Sequence, residues 1–286
     1  MAIYLETNAL RKLTNYECNE PVYTSIFSIF ELLSGINKED FDIRKACLKR
    51  VAEQKLEIRG PMIDKLFSDL IGKSDYNKFA EQMIKDIYRQ TIKLENYFEF
   101  NDIELLITEM NDKENTIHAR KWLENWDTNI ASITTNSYGL FKDENKVYLR
   151  TLYQENGDRG LAEYFWDKFF NNKIDEKRLM HAEAFDSSNA IEKFRKETNE
   201  LFSKYNYKLF LVAQAVIFAK AYINGSTQNS NNASDLLHLL YLNENDKFVS
   251  NDKIYKTISN ACPDFNLIFL KNQKTLSELI RNTKHK

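Results

Sequence analysis

Four acids in this chain stand where carboxylates can do chemistry: Glu6, Glu31, Asp235 and Asp252. Glu6 follows the short apolar run Ile3-Tyr4-Leu5, and Asp252 follows Phe248-Val249-Ser250-Asn251. Glu31 and Asp235 each fall in the first turn of a helical pattern. If the short runs are parallel strands, all four acids lie on one edge of the sheet. Carboxylates gathered within a few Å repel, and most cannot stay ionised without a cation. Hard divalent ions take oxygen ligands of this kind. Such an ion activates water and stabilises the leaving oxygen of a phosphodiester. A Mg²⁺ or Mn²⁺ site is therefore the chemistry that these residue types suggest.

Each acid also has a local role open to it. Ser28 and Glu31 fit a capping box, in which the glutamate satisfies a backbone N–H. Asp235 suits the positive end of a helix dipole. Asp252 can cap the helix after it, and Glu6 can end its strand in solvent. Thr7 or Asn8 then caps the first helix. His238 lies three residues after Asp235 on the same helical face. It can face a phosphate or a metal-bound water, or pack among Leu236, Leu237, Leu239 and Leu240. Trp122 and Trp126 can stack on bases, although core packing of their helix is the simpler use. Lys49, Arg50, Lys55 and Arg59 form a loose basic group that could meet a nucleic-acid backbone. His181 and Glu183 make no motif.

The elements that must position these residues sit at the two ends of the chain. Strand signals occur at Ile3–Leu5, around Val22–Ile26, at Leu56–Ile58, at Phe248–Val249 and at Asn266–Leu270. Helical patterns separate them, which favours a parallel sheet. Between about residues 61 and 206 the pattern becomes helical: Met62–Ile71, Tyr76–Phe98, Ile117–Ile133, Arg159–Phe170 and Ala182–Tyr205. The expected architecture is a discontinuous α/β domain, residues 1–60 and 207–286, interrupted by an all-helical insertion, residues 61–206.

The motifs Tyr4-Leu5-Glu6-Thr7-Asn8, Thr24-Ser25-Ile26 with Glu31-Leu32-Leu33, Asp235-Leu236-Leu237-His238 and Val249-Ser250-Asn251-Asp252-Lys253 resemble those of the PIN domain. The resemblance covers the two ends, under half of the chain. It implies a three-layer fold with a short-stranded parallel sheet between helices, and a metal-dependent nuclease. Matched residue by residue, the four family acids fall on Glu6, Glu31, Asp235 and Asp252, as metal ligands and catalytic groups. Asn8 and Ser250 match small polar positions that orient the site. The resemblance implies an endoribonuclease using Mg²⁺ or Mn²⁺, with RNA favoured over DNA as substrate. A homodimer and a protein inhibitor belong to the same expectation. The chain departs from the family twice. Glu6 stands where the family has aspartate, moving the carboxylate outward by roughly one C–C bond. The insertion is absent from the small toxin-type members. The alternative is a catalytically inactive PIN-like protein that binds nucleic acid or protein.

Composition narrows the setting. With 7 Gly and 3 Pro in 286 residues, long helices are expected rather than a turn-rich β-fold. A net charge of -2 gives no global attraction to nucleic acid, so any such contact must be local. Three widely spaced cysteines fit no zinc pattern and suggest a reducing, cytoplasmic setting. The first residues lack the basic start and long apolar core of a signal peptide. Leu209–Ile223 is apolar but broken by Gln214 and Lys220, which suits a buried helix better than a membrane span.

Overall fold

The computed structural model describes residues 1–12, 20–63, 65–66, 80–108, 114–136, 145–171, 203–226 and 234–270. The chain forms an α/β fold around a five-stranded sheet, every neighbouring pair of which is parallel. Strands β1 (Ile3–Leu5), β2 (Val22–Ser25) and β3 (Glu57–Arg59) come from the first end of the chain. Strands β6 (Lys247–Ser250) and β7 (Leu267–Phe269) come from the other. Their order is β3-β2-β1-β6-β7.

The central strands β1, β2 and β6 are short and largely buried, whereas the edge strands β3 and β7 are only partly covered. All three residues of β1 are buried. Tyr4 lies in register with Tyr23 on one side and Phe248 on the other, with ring centroids 5.2 and 5.3 Å apart. These aromatic pairs tie the three central strands together through side chains as well as the ladder. Asp246, just before β6, is 5% exposed. It accepts from Ala2 N at 2.7 Å, from Tyr23 Oη at 2.9 Å and from Asn243 Nδ2 at 3.1 Å. Asp246→Ala would leave the buried Ala2 N–H without its acceptor and the Tyr23 hydroxyl with only its longer bond to Tyr241 O at 3.2 Å. The variant is expected to lose about 3 kcal/mol of stability in urea unfolding; a loss within experimental error would mean water takes the aspartate's place.

Helices α1 (Thr7–Arg11), α2 (Ile26–Ser34) and α3 (Phe41–Glu53) pack against one another. Between β3 and β6 come α4 (Ala80–Thr91), α5 (Tyr97–Asn101), strands β4 (Glu104–Thr108) and β5 (Glu114–His118), α6 (Ala119–Asn136) and α7 (Lys146–Trp166). A π-helical turn (Asp167–Asn171) ends α7. The chain then returns through α8 (Tyr205–Asn224) and a 3₁₀ helix (Leu236–Tyr241) to β6, α9 (Lys253–Ala261) and β7. Helix α8 packs on α7, the 3₁₀ helix and α9, while α4 and α6 pack on α2.

The intervening segment is mostly helical but not wholly so. Strands β4 and β5 pair antiparallel, with Leu105 opposite Ile117. The expected helix over Ile117–Ile133 begins only at Ala119, because Ile117 and His118 belong to the hairpin. The expected helix Tyr76–Phe98 is two helices among its described residues. Asn96 interrupts it by capping α5, accepting from Phe98 N and Glu99 N. Helix α7 is broken at Gly157, whose φ of 64° and ψ of -153° no other residue adopts cheaply. The expected Ala182–Tyr205 helix falls mostly outside the described residues.

One continuous core runs through both parts of the chain. It joins Tyr4 and Phe248 of the sheet to Leu105, Trp122, Leu149 and Phe165 of the intervening segment. Trp122 is buried and packs with Trp126 at 5.7 Å between ring centroids, as the core reading of that pair expects. The basic group is largely engaged. Arg59 lies over Tyr23 at 3.5 Å and pairs with Glu57, and Lys49 pairs with Glu53. Helix α8 carries the expected buried run from Leu209 to Ile223. Among the described residues no helix is long and apolar enough to cross a membrane.

Candidate active site at the sheet switch point

In an open parallel sheet, ligands bind outside the carboxyl ends of the strands, where the order of connection reverses. Here that point lies between β1, whose chain continues to β2 on one side, and β6 on the other. Glu6 follows β1 directly, and Asp252 stands two residues beyond β6. Glu31 projects from α2, and Asp235 stands at the entry of the 3₁₀ helix. The sheet edge thus gathers the four acids of the sequence reading.

Glu6 is the most constrained. It is 2% exposed and caps α1. One carboxylate oxygen accepts from Asn8 N at 2.7 Å and the other from Ala9 N at 3.1 Å. The nearby Ser250 hydroxyl lowers the same carboxyl slightly. The cap of α1 is therefore Glu6, not Thr7 or Asn8. The longer side chain folds back onto the backbone that follows it, and Asn8 takes part through its N–H. Burial raises the Glu6 carboxyl to about 7, and Glu31 adds to this; His238 and the Asn8 N–H pull the other way.

Glu31 is not the partner of Ser28 in a capping box. Ser25 caps α2 by accepting from Ser28 N at 3.0 Å, which places Glu31 in the second turn. Its Oε2 accepts from the Thr7 hydroxyl and lies 2.8 Å from His238 Nε2. Arg44 donates to the carbonyls of Glu31 and Leu32 at 3.0 and 3.2 Å, satisfying acceptors near the end of α2.

Asp235 is half-buried, and its carbonyl accepts from Tyr255 Oη at 2.5 Å. Burial, then the charge of Glu31, raise its carboxyl to about 7, with Asp252 and Glu6 adding to the effect. Asp252 caps α9 by accepting from Ile254 N at 3.0 Å, and its own N–H donates to Ser250 Oγ at 2.9 Å. Asp252 thus has the capping role that the sequence allowed.

His238 is 1% exposed and lies among the acids. Burial lowers its pKa, but the charge and hydrogen bond of Glu31, with Glu6 and Asp235, outweigh that and raise it. The acids raise the imidazole, and it in turn lowers Glu6 and Asp235. The acids are not four free carboxylates: two are hydrogen-bonded to backbone as caps, and Glu31 is paired.

Three contributors were not legible in the sequence. Tyr4 and Thr7 hold His238 and Glu31 through hydroxyls. The third is Asp127 of α6. Arg120 anchors that helix by donating to Ile36 O just after α2. Asp127 comes about 10 Å further along the helix, on the face of buried Leu123. Though solvent-exposed, its carboxyl is raised by neighbouring protein and then by the charge of Glu31. The intervening segment therefore brings a further acid towards the site.

In kind, this donor set suits a hard divalent ion: oxygen ligands only, with Glu6 and Asp235 raised partly by other acids. Among the described residues, no group of three or more His, Cys, Asp or Glu side chains is already drawn together to hold a metal. A separate cavity of about 1050 Å³ lies between α7, α8 and the turn after α9, and none of the four acids lines it. Compared with known proteins, the chain matches no family model, no curated protein and no solved structure.

Proposed function

We propose that the chain is a PIN-like, metal-dependent endonuclease that hydrolyses phosphodiester bonds in RNA. One observation supports this most. Glu6, Glu31, Asp235 and Asp252 stand at the switch-point end of a parallel sheet, and Asp235 is raised by burial first and then by the charges of Glu31, Asp252 and Glu6.

In this reading Glu31, Asp235 and Asp252 would hold Mg²⁺ or Mn²⁺, and Glu6, the most buried of the four carboxylates, would support them. A bound ion of this kind lowers the pKa of water and stabilises the leaving oxygen. The chain's own groups do the rest. Glu31, with Oε2 fixed by Thr7 and His238, has Oε1 left to orient the attacking water. His238 offsets part of the negative charge that would otherwise repel a phosphodiester. Ser250, the last residue of β6, accepts from Asp252 N and holds the turn that carries Asp252.

The second reading is a PIN-like protein that has lost its chemistry and binds nucleic acid or protein. Glu6 favours it, because both its oxygens are hydrogen-bonded to backbone. Mn²⁺-dependent cleavage of a mixed single-stranded RNA separates the two. The nuclease reading expects cleavage by the native chain, and faster cleavage by Glu6→Asp, whose carboxylate draws back by roughly one C–C bond towards the family position. Silence from the native chain with cleavage by Glu6→Asp would establish the second reading.

A further inference from the structure

Tyr4, His238 and Glu31 come from three different elements, and a chain of buried hydrogen bonds joins them. The Tyr4 hydroxyl lies 2.8 Å from His238 Nδ1, 2.8 Å from Ser25 Oγ and 3.3 Å from Ser28 Oγ. On the far side of the ring, His238 Nε2 lies 2.8 Å from Glu31 Oε2. Tyr4, Ser25 and Ser28 are 0% exposed and His238 is 1% exposed, so the Tyr4 end of the chain is sealed from water, while the Glu31 side chain is 22% exposed. Phe27 packs against the imidazole at 4.9 Å between ring centroids.

The chemistry of these groups fixes the direction of the bonds. A carboxylate only accepts, so Nε2 carries a proton in every charge state of the ring. A ring flip would set carbon against both the phenol and the carboxylate. Tyr4 therefore holds the ring in one orientation, and His238 always donates to Glu31 Oε2. The Thr7 hydroxyl donates to the same oxygen. Among the described residues no hydrogen bond engages Oε1.

We propose that Tyr4 and His238 form a positioning pair for Glu31, fixing which of its oxygens is tied back and which is presented at the sheet edge. Its effect on cation binding rests on the nuclease reading above. The pair acts through Glu31 and is not itself catalytic. Ligand groups oriented by such partners lose about 10- to 100-fold in metal affinity when the partner is removed.

The test uses the full chain labelled with ¹⁵N-histidine, without metal, and long-range ¹H–¹⁵N NMR. His238→Gln identifies the His238 signals by their loss. The native protein should show a downfield, slowly exchanging Nε2 proton that moves upfield in Glu31→Gln and exchanges several-fold faster in Tyr4→Phe. Absence of that proton, or its indifference to Glu31→Gln, overturns the proposal. Mn²⁺ binding by electron paramagnetic resonance reads the consequence. His238→Leu should bind about 10- to 100-fold more weakly than native, and His238→Gln, which keeps a donor near Nε2, should recover most of the loss. If His238→Leu does not fold, Tyr4→Phe, which keeps the ring and its packing, carries the comparison. Native-like Mn²⁺ affinity in these variants overturns the proposal. If the native chain binds no Mn²⁺, the nuclease reading fails instead, and the Nε2 proton's response to Glu31→Gln still decides the pair.

Discussion

Asp235→Asn is expected to abolish Mn²⁺-dependent RNA cleavage and, at pH 8, to leave the protein at least as stable as native. The two effects have one cause. Asp235 is half-buried beside Glu31, Asp252 and Glu6, and its carboxyl is raised to about 7. Above that pH the native chain carries a charge that burial and its neighbours both oppose. An amide of the same shape removes the charge and keeps the packing. It also removes a ligand that the proposed ion needs. Loss of groups that only orient a ligand costs about 10- to 100-fold, so loss of the ligand itself should cost at least about a hundredfold in kcat/KM. Steady-state cleavage and thermal unfolding of the same preparation test both halves. A variant that loses activity only because it unfolds would contradict the account.

The second large effect is the response of stability to pH and to metal. Glu6 and Asp235 titrate near 7 in the folded chain, against about 4 when unfolded. Between those values the folded state binds more protons than the unfolded state. Their contribution to stability therefore falls as pH rises from about 4 to about 7 and is flat above. His238, also raised, contributes below about 6.5 and loses that contribution as pH rises through its folded pKa. All three groups have the same sign, and the acids titrate as a group. The metal-free chain should thus grow less stable towards pH 8, on the order of a few kcal/mol.

A divalent ion reverses this because it binds the deprotonated acids. At a hundredfold excess over its dissociation constant it adds about 2.7 kcal/mol, roughly 5 to 10 °C in Tm for a chain of this size. At pH 5 protons hold the site, and the gain should nearly vanish. Calorimetry at pH 5 and pH 8, with and without MnCl₂, measures it. Subtracting the Asp235→Asn curves removes the contribution of carboxylates elsewhere.

Much of the fold could be read from the chain. Apolar triplets and quartets at both ends, separated by helical patterns, mark the strands, and Glu6 and Asp252 just beyond β1 and β6 mark the edge at which the acids lie. In the hairpin β4–β5, the apolar run Leu105-Leu106-Ile107 is a legible strand signal passed over within a helical stretch, whereas Glu114-Asn115-Thr116-Ile117-His118 is polar and lacks a strand's apolar rhythm. Its last residues also fit the helix that follows. The roles of the acids were less legible than their positions. Whether a glutamate after a strand reaches outward or curls back onto two N–H groups depends on its rotamer, which residue type and spacing do not encode. Tyr4 reads as an ordinary core aromatic because its decisive partner, His238, is 234 residues away. Asp127 reads as one charge on a solvated helix until α6 is seen to pack on α2.

The central claim is that the acids at the sheet edge hold a divalent cation. Titration of the native chain and Asp235→Asn with Mn²⁺ at pH 7.5, followed by electron paramagnetic resonance, tests it most directly. The account predicts saturable binding to the native chain and its loss in Asp235→Asn. Equal free Mn²⁺ signals from both proteins into the millimolar range would contradict it, and would leave these carboxylates as helix caps and partners of His238.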